Sequence, residues 1–243
     1  MAGIGHVHRV LAFGPQVSDN SGTARYAEVR ALVKENTPAS PFVVANEAIA
    51  TALGQVLALP VPAGGIIQAD GDGLAWASWH FGPGGQRPPP VIPAHMVADH
   101  PALSAAVVAF DCWIANDDRH PGNLAYKRDL VPVAVFDQGH ALLGPTGQGV
   151  ARLIARRDGP HVAGCLHPEM DTAVHFGMLA EEIGAIPRRR IEAICRSVQQ
   201  SGAIDHETTD HVVDFLDHRK SRIMELLYQA APDFPGITEW SMT

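Results

Sequence analysis

Several absences narrow the class of this 243-residue chain before any motif is read. It has no run of about 18 apolar residues, the length a helix needs to cross a bilayer. Its opening, Met1-Ala2-Gly3-Ile4-Gly5-His6, has neither the basic n-region nor the apolar h-region of a secretory signal. The expectation is therefore a cytoplasmic protein with no transmembrane segment. Positive charge is also short: 18 Lys and Arg against 26 Asp and Glu give a formal charge of −8. A primary nucleic-acid binder would show a basic excess. The three cysteines, Cys112, Cys165 and Cys195, are odd in number, widely separated and without C-x-x-C spacing. They point to reduced, buried thiols and not to a disulfide framework. Thirteen histidines are many, but they scatter, and no H-E-x-x-H or Cys/His cluster accompanies them, so zinc is not indicated.

At 46% hydrophobic, the chain can bury the core of one large domain or of two modest lobes. Its most informative stretch is Asn116-Asp117-Asp118-Arg119-His120, with Asn123 three residues on and Phe136-Asp137-Gln138-Gly139 beyond a short hairpin-like segment. Transfer of a γ-phosphoryl group needs positioned charge more than covalent chemistry from the protein. Mg²⁺ takes oxygen ligands, usually one or two from protein and the rest from phosphates and water. Asn123 and Asp137 are an amide and a carboxylate of that kind, and Asp118 is placed to face an acceptor hydroxyl. Asp117 is adjacent, but neighbouring side chains usually point apart, and the motif register selects Asp118. An Asp-x-Gly taken alone is commonly a turn, and Asp-Arg-His taken alone can be a loop ion pair. Order and spacing carry the reading.

The flanks fit. Leu103, Val107, Phe110 and Ile114 recur three and four apart, which predicts a buried helix over 100–115 leading into the polar loop. Leu124–Lys127 and Pro132–Phe136 are short runs around the turn Arg128-Asp129 and predict two antiparallel strands. Upstream, Tyr26–Lys34 alternates as one strand. Ala45, Ile49, Leu53, Val56 and Leu57 then mark a helix that Pro60 and Pro62 stop. Asp111 reads as a structural brace of the loop, and so does Arg119.

Over roughly residues 25 to 140 this pattern resembles the HipA-like kinases and, more distantly, the phosphatidylinositol 3- and 4-kinases, which share a D-R-H-x-x-N loop and a later metal-binding Asp. The text Asn46-Glu47-Ala48-Ile49-Ala50-Thr51-Ala52-Leu53 also looks like the corresponding HipA-like segment. The resemblance implies an α+β, bilobal protein kinase-like fold: a small antiparallel-sheet N-lobe with one helix, then a mostly helical C-lobe. It divides the chain into an N-lobe over 1–81, a Gly/Pro hinge over 82–93 and a C-lobe over 94–243. It implies ATP and Mg²⁺ as cofactors, with Lys34 on the nucleotide phosphates and Glu47 holding Lys34. Asn123 and Asp137 would hold metal, Asp118 would be the base, and His120 would stand near the γ-phosphate or the acceptor. Ser78, Trp79 and His80 would meet adenine. Instead of a Gly-rich loop there is one glycine in Ser21-Gly22-Thr23; its backbone N–H groups can still form a phosphate nest, and an ordinary hairpin turn is the other reading.

The implied activity is phosphorylation of a Ser/Thr hydroxyl of a protein substrate. The alternatives are a lipid or small-molecule kinase and a nucleotide-binding pseudokinase scaffold. The chain is short for a full HipA toxin, which leaves toxin activity and any antitoxin or DNA partner open. Beyond Asp137, the sequence predicts helices over 150–157, 171–184, 188–200 and 206–230. Val212, Phe215, Leu216, Ile223 and Leu227 form the buried stripe of the last. Arg152, Arg156 and Arg157 read either as holders of an acidic acceptor or, preferred, as a solvated helix face.

Overall fold

A computed structural model describes residues 10–16, 25–69, 71, 73–79, 89–127 and 131–240. Strands β1 (Val10–Gln16) and β2 (Arg25–Val29) form an antiparallel pair with Phe13 opposite Ala27. Strands β3 (Ala31–Glu35), β4 (Gly64–Gln68) and β5 (Leu74–Trp79) form a second antiparallel sheet in the order β3-β5-β4. The single strand expected over 26–34 is thus two. Val29 pairs with Val10 while Ala31 pairs with Trp79, so the chain changes partner at Arg30 and passes from one sheet to the other. Within the second sheet Trp76 faces Lys34 on one side and Ile66 on the other. Its indole lies across Gly64, where a Cβ would sit 2.4 Å from Trp76 Cζ2 and 2.6 Å from Ala77 O.

Helix α1 (Val43–Val56) is buried through the whole run Val44–Thr51, polar residues included. It lies between the β3-β5-β4 sheet and helix α6 (Arg188–Gln200), so apolar contact is needed on more than one face. Leu57 closes it, Ala58 turns left-handed (φ 52°) and the Pro60/Pro62 pair carries the chain to β4.

Helix α2 (Pro93–Asp99) meets α3 (Pro101–Ile114) at a bend of 117°. Pro101 opens α3, a position where a missing N–H costs no helical bond. The expected face of Val107, Phe110 and Ile114 is fully buried, but so are Ala105, Ala109, Cys112 and Trp113, which makes α3 the central helix of the core. Its Trp113 Nε1 donates to Leu216 O (2.9 Å). After α3 come the hairpin β6 (Leu124–Lys127) and β7 (Val131–Val135), with Leu124 opposite Val135.

Helix α4 (Val150–Arg156) is followed by α5 (Phe176–Ala185), α6, α7 (His206–Lys220) and α8 (Ile223–Gln229). Two expectations need correction. The helix predicted from 171 starts only at Phe176, because Asp171–His175 is a turn in which Thr172 Oγ1 accepts from Val174 N–H. The helix predicted over 206–230 is broken at Ser221 and Arg222. Its stripe is buried throughout: α7 packs on α6 and α4 and also touches α3 and α5, and after the break α8 continues on α3 and α5. Cys112 and Cys195 are buried as expected, and Cys165 is half-buried; all three are free thiols. Among the described residues no single helix is long and apolar enough to cross a membrane.

Candidate nucleotide and metal site

Lys34, near the end of β3, reaches across to α1 and to the loop after β7. Its ammonium bonds Glu47 Oε1 and stands 2.5 Å from Asp137 Oδ1. Glu47 Oε1 also accepts the N–H of Gln138 (3.0 Å). One helical carboxylate therefore fixes both the strand cation and the backbone beside Asp137. Asn46 completes the attachment: its Nδ2 donates to Gly139 O (2.8 Å) and Gly144 O (3.2 Å), and its Oδ1 accepts from Leu143 N–H (3.2 Å). The sequence singled out Glu47 but gave no role to Asn46. Asp137 has φ 63°, a left-handed conformation that Asp tolerates better than most residues.

The charges respond to one another. Burial alone would lower the Lys34 ammonium, but Glu47 and Asp137 outweigh it and the net shift is upward. Burial would raise the Asp137 carboxyl; Lys34 and the Gly139 N–H outweigh it and hold it below its usual value. Glu47 is deeper, and there burial wins, with a net upward shift that Lys34 only partly offsets.

The polar loop grows out of the end of α3. Ala115 turns left-handed (φ 49°), and Asn116 caps back onto Asp111 through N–H to Asp111 O and Nδ2 to Asp111 Oδ1, both 2.9 Å. Arg119, 1% exposed, then fills the space between loop and hairpin. Its Nε and Nη2 donate to Asp111 (2.8 and 2.9 Å), its Nη1 to the carbonyls of Asn123 (3.1 Å) and Phe136 (2.6 Å), and Nη2 again to Gln138 Oε1 (2.7 Å). Every N–H of the guanidinium is thereby matched, which makes Arg119 a brace, as the sequence reading had it.

The two adjacent aspartates go opposite ways. Asp117 turns inward to Arg152 Nη2 (2.5 Å), His161 Nε2 (2.7 Å) and Arg156 Nη2 (3.6 Å). Burial would raise its carboxyl, but the His161 and Arg152 hydrogen bonds prevail and hold it well below the ordinary range. Asp118 turns outward, with a side chain 36% exposed. Its Oδ2 stands 3.8 Å from His120 Nε2 and 3.7 Å from His140 Nδ1. His120 Nδ1 accepts from Gly122 N–H (3.0 Å), so in the neutral ring the proton resides on Nε2, the nitrogen that faces Asp118. Sequence reasoning missed His140. Its signal was its position directly after Asp137-Gln138-Gly139.

Asn123 spends its amide nitrogen on Asp118, at O (2.7 Å) and Oδ2 (3.3 Å), which leaves the amide oxygen for another partner. Phe136 N–H donates to Asn123 O (3.2 Å), so the hairpin brings Asn123 and Asp137 to the same end. An amide oxygen and a carboxylate are hard donors and fit Mg²⁺ with phosphate and water completing the shell. A small cleft opens beside Asp137, lined by Leu32, Lys34, Glu47, Trp76, Ser78 and Asp137. The Trp79 N–H donates to Ala63 O (2.8 Å). Ser21, Gly22, Thr23, His80 and residues 82–88 of the expected hinge lie outside the described residues. Arg152 is corrected outright: it is neither on a solvated face nor open to an acceptor but 5% exposed and bonded within the loop.

No protein-family model and no curated protein matches the chain. Among solved structures, it is similar to the crystal structure of CtkA, a proinflammatory kinase of Helicobacter pylori. The likeness has a TM-score of 0.59 and 13% sequence identity, and covers 92% of this chain and 96% of that one. The fold is protein kinase-like, with a sheet-built N-lobe and a mostly helical C-lobe.

Proposed function

We propose that the chain is an ATP- and Mg²⁺-dependent phosphotransferase of the HipA-like kinase type, acting on a Ser or Thr hydroxyl of a protein. One observation carries the reading: Lys34 bridges Glu47 and Asp137 inside the cleft, while Asp118, held by Asn123 Nδ2, keeps a side chain 36% exposed. Lys34, oriented by Glu47, binds the nucleotide phosphates. Asn123 and Asp137 would hold the metal, which when bound neutralises charge on the phosphate oxygens. Asp118 accepts a hydrogen bond from the acceptor hydroxyl and aligns it with the γ-phosphate. His120 and His140 flank that carboxylate and are placed to donate to the transferring oxygens. The side chains around Asp118 are a third to a half exposed, an opening that suits a hydroxyl carried on a macromolecule. The similarity to a solved kinase over most of both chains supports the class of reaction.

The test is transfer of label from γ-labelled ATP in Mg²⁺, with the parent beside Asp118→Asn and Asp137→Asn. Transfer to protein Ser/Thr by the parent and its loss in both variants is expected. A parent that binds ATP without transferring or hydrolysing it would instead establish a nucleotide-binding scaffold.

A further inference from the structure

Arg152 is the first buried residue of α4, and its hydrogen-bonding partners lie on both sides of the site. It donates to the carbonyl of Leu142 and to the carbonyls of Ala115 (2.6 Å) and His140 (3.3 Å), and pairs with Asp117 Oδ2 at 2.5 Å. Ala115 and Asp117 lead directly into Asp118. His140 and Leu142 belong to the loop that leaves Asp137. Ala115 and Leu142 both adopt left-handed backbone (φ 49° and 46°), and Leu142 N–H donates to Ile114 O (2.8 Å), so the two loops also touch each other. Left-handed backbone in non-glycine residues costs about 1 kcal/mol or more each and persists only where the surroundings impose it. Gly144, with φ 79°, leaves the space the arginine needs: a Cβ there would stand 2.6 Å from Arg152 Cδ.

Two buried arginines therefore grip the same two loops at different points. Arg119 joins them at Asn123 and at Phe136–Gln138, on the metal-ligand side. Arg152 joins them at Ala115–Asp117 and His140–Leu142, the stretch that carries Asp118 and His140. We propose that Arg152, with Asp117 as its counter-charge, is a positioning residue for phosphoryl transfer that sets where Asp118 and His140 stand relative to Asp137. The proposal rests on the phosphotransferase reading above. It gives Asp117 a role beside the residue that meets the acceptor, and it explains why a planar cation is used. The carbonyl and carboxylate acceptors spread around one point suit a guanidinium fork, whereas a Lys ammonium keeps the charge but not the spread of donors.

The test compares the full chain with Arg152→Lys and Asp117→Asn, measuring thermal melting, ATP affinity in Mg²⁺, kcat and KM for ATP, and amide hydrogen exchange. Arg152→Lys is expected to melt cooperatively and to keep ATP affinity and KM within about twofold, since Lys34, Glu47 and Asp137 are untouched. Its kcat falls about 100-fold, the cost of roughly an ångström of misplacement at a reacting centre. Exchange quickens together in 115–118 and 140–144. Asp117→Asn, which leaves the carbonyl bonds in place, loses kcat about tenfold at unchanged KM. A kcat within about twofold of the parent in Arg152→Lys overturns the proposal, as does a fall in ATP affinity that matches the fall in kcat. Should Arg152→Lys fail to fold, Asp117→Asn decides alone, and an unchanged kcat there overturns the proposal. A parent that binds no ATP contradicts the phosphotransferase reading instead. The exchange measurement then still separates a tie between the two loops, which quickens both, from its absence, which quickens one or neither.

Discussion

Where nucleotide is proposed to bind, Lys34, Glu47 and Asp137 are in direct contact, and the Glu47 side chain is only 4% exposed. Where an acceptor is proposed to enter, Asp118 stands 3.7 to 3.8 Å from two histidines whose side chains are 41% and 51% exposed. In the first group Lys34 and Asp137 hold their charges against burial, while burial raises the deeper Glu47 carboxyl. The second is loosely spaced and open, with room for a hydroxyl to enter between groups that do not yet bond each other. In the proposed phosphotransferase the nucleotide phosphates would meet the same fixed charges whatever the acceptor, whereas the open side leaves the acceptor's identity unspecified.

The comparison breaks first if the two sides fail to separate under mutation. Asp118→Asn is expected to lower kcat about 1,000-fold, the scale of a lost general base, while thermal melting stays close to the parent, because a partly exposed carboxylate contributes little to stability. Steady-state turnover and a melting curve on the same sample check both halves. On the donor side, Lys34→Met is expected to cost stability as well as nucleotide binding. It leaves the Glu47 and Asp137 carboxylates facing each other, for a loss of about 3 kcal/mol in denaturant unfolding.

A smaller effect sharpens the acceptor side. His140→Gln keeps a hydrogen-bonding group near Asp118 without the imidazole, and kcat is expected to fall about tenfold with KM for ATP unchanged, on the scale of one positioned donor partly replaced. Initial rates across ATP concentration separate the two constants. The smallest effect concerns pH. Asp117 has a folded carboxyl held below its unfolded value by His161 and Arg152. Its contribution to stability is therefore present above the unfolded carboxylate pKa of about 4 and is lost as pH falls below that toward the folded value. Asp117→Asn should show a flatter loss of stability through that acid window than the parent in unfolding measured at successive pH values.

How far the sequence could be read follows from the same physics. Register distinguished Asp118 from Asp117, and order along the chain singled out Lys34, Glu47, Asn123 and Asp137; the structure brings Lys34, Glu47 and Asp137 into contact and Asn123 onto Asp118. What turns Asp117 inward is supplied by Arg152 and His161, distant in sequence, and so left no local sign. Arg152 was misread as solvated because charge patterning on a helix assumes that buried charges have charged partners nearby; here most of its partners are backbone carbonyls, which every residue has. The stripe from Val212 to Leu227 is continuous and correctly marks burial, yet it conceals the break at Ser221, since α7 and α8 both bury apolar faces and share α3 and α5 as neighbours. The alternation through Arg30 hides a change of sheet for the same reason: periodicity reports which face is covered, not by what.

The central claim, that a preassembled Lys34–Glu47–Asp137 network binds nucleotide independently of the acceptor side, is tested most directly by calorimetric titration of ATP in Mg²⁺ into the parent, Asp118→Asn and Lys34→Met. The account predicts equal affinity for the parent and Asp118→Asn and no measurable binding to Lys34→Met. Binding to Lys34→Met as tight as to the parent, or no binding to the parent, would contradict it.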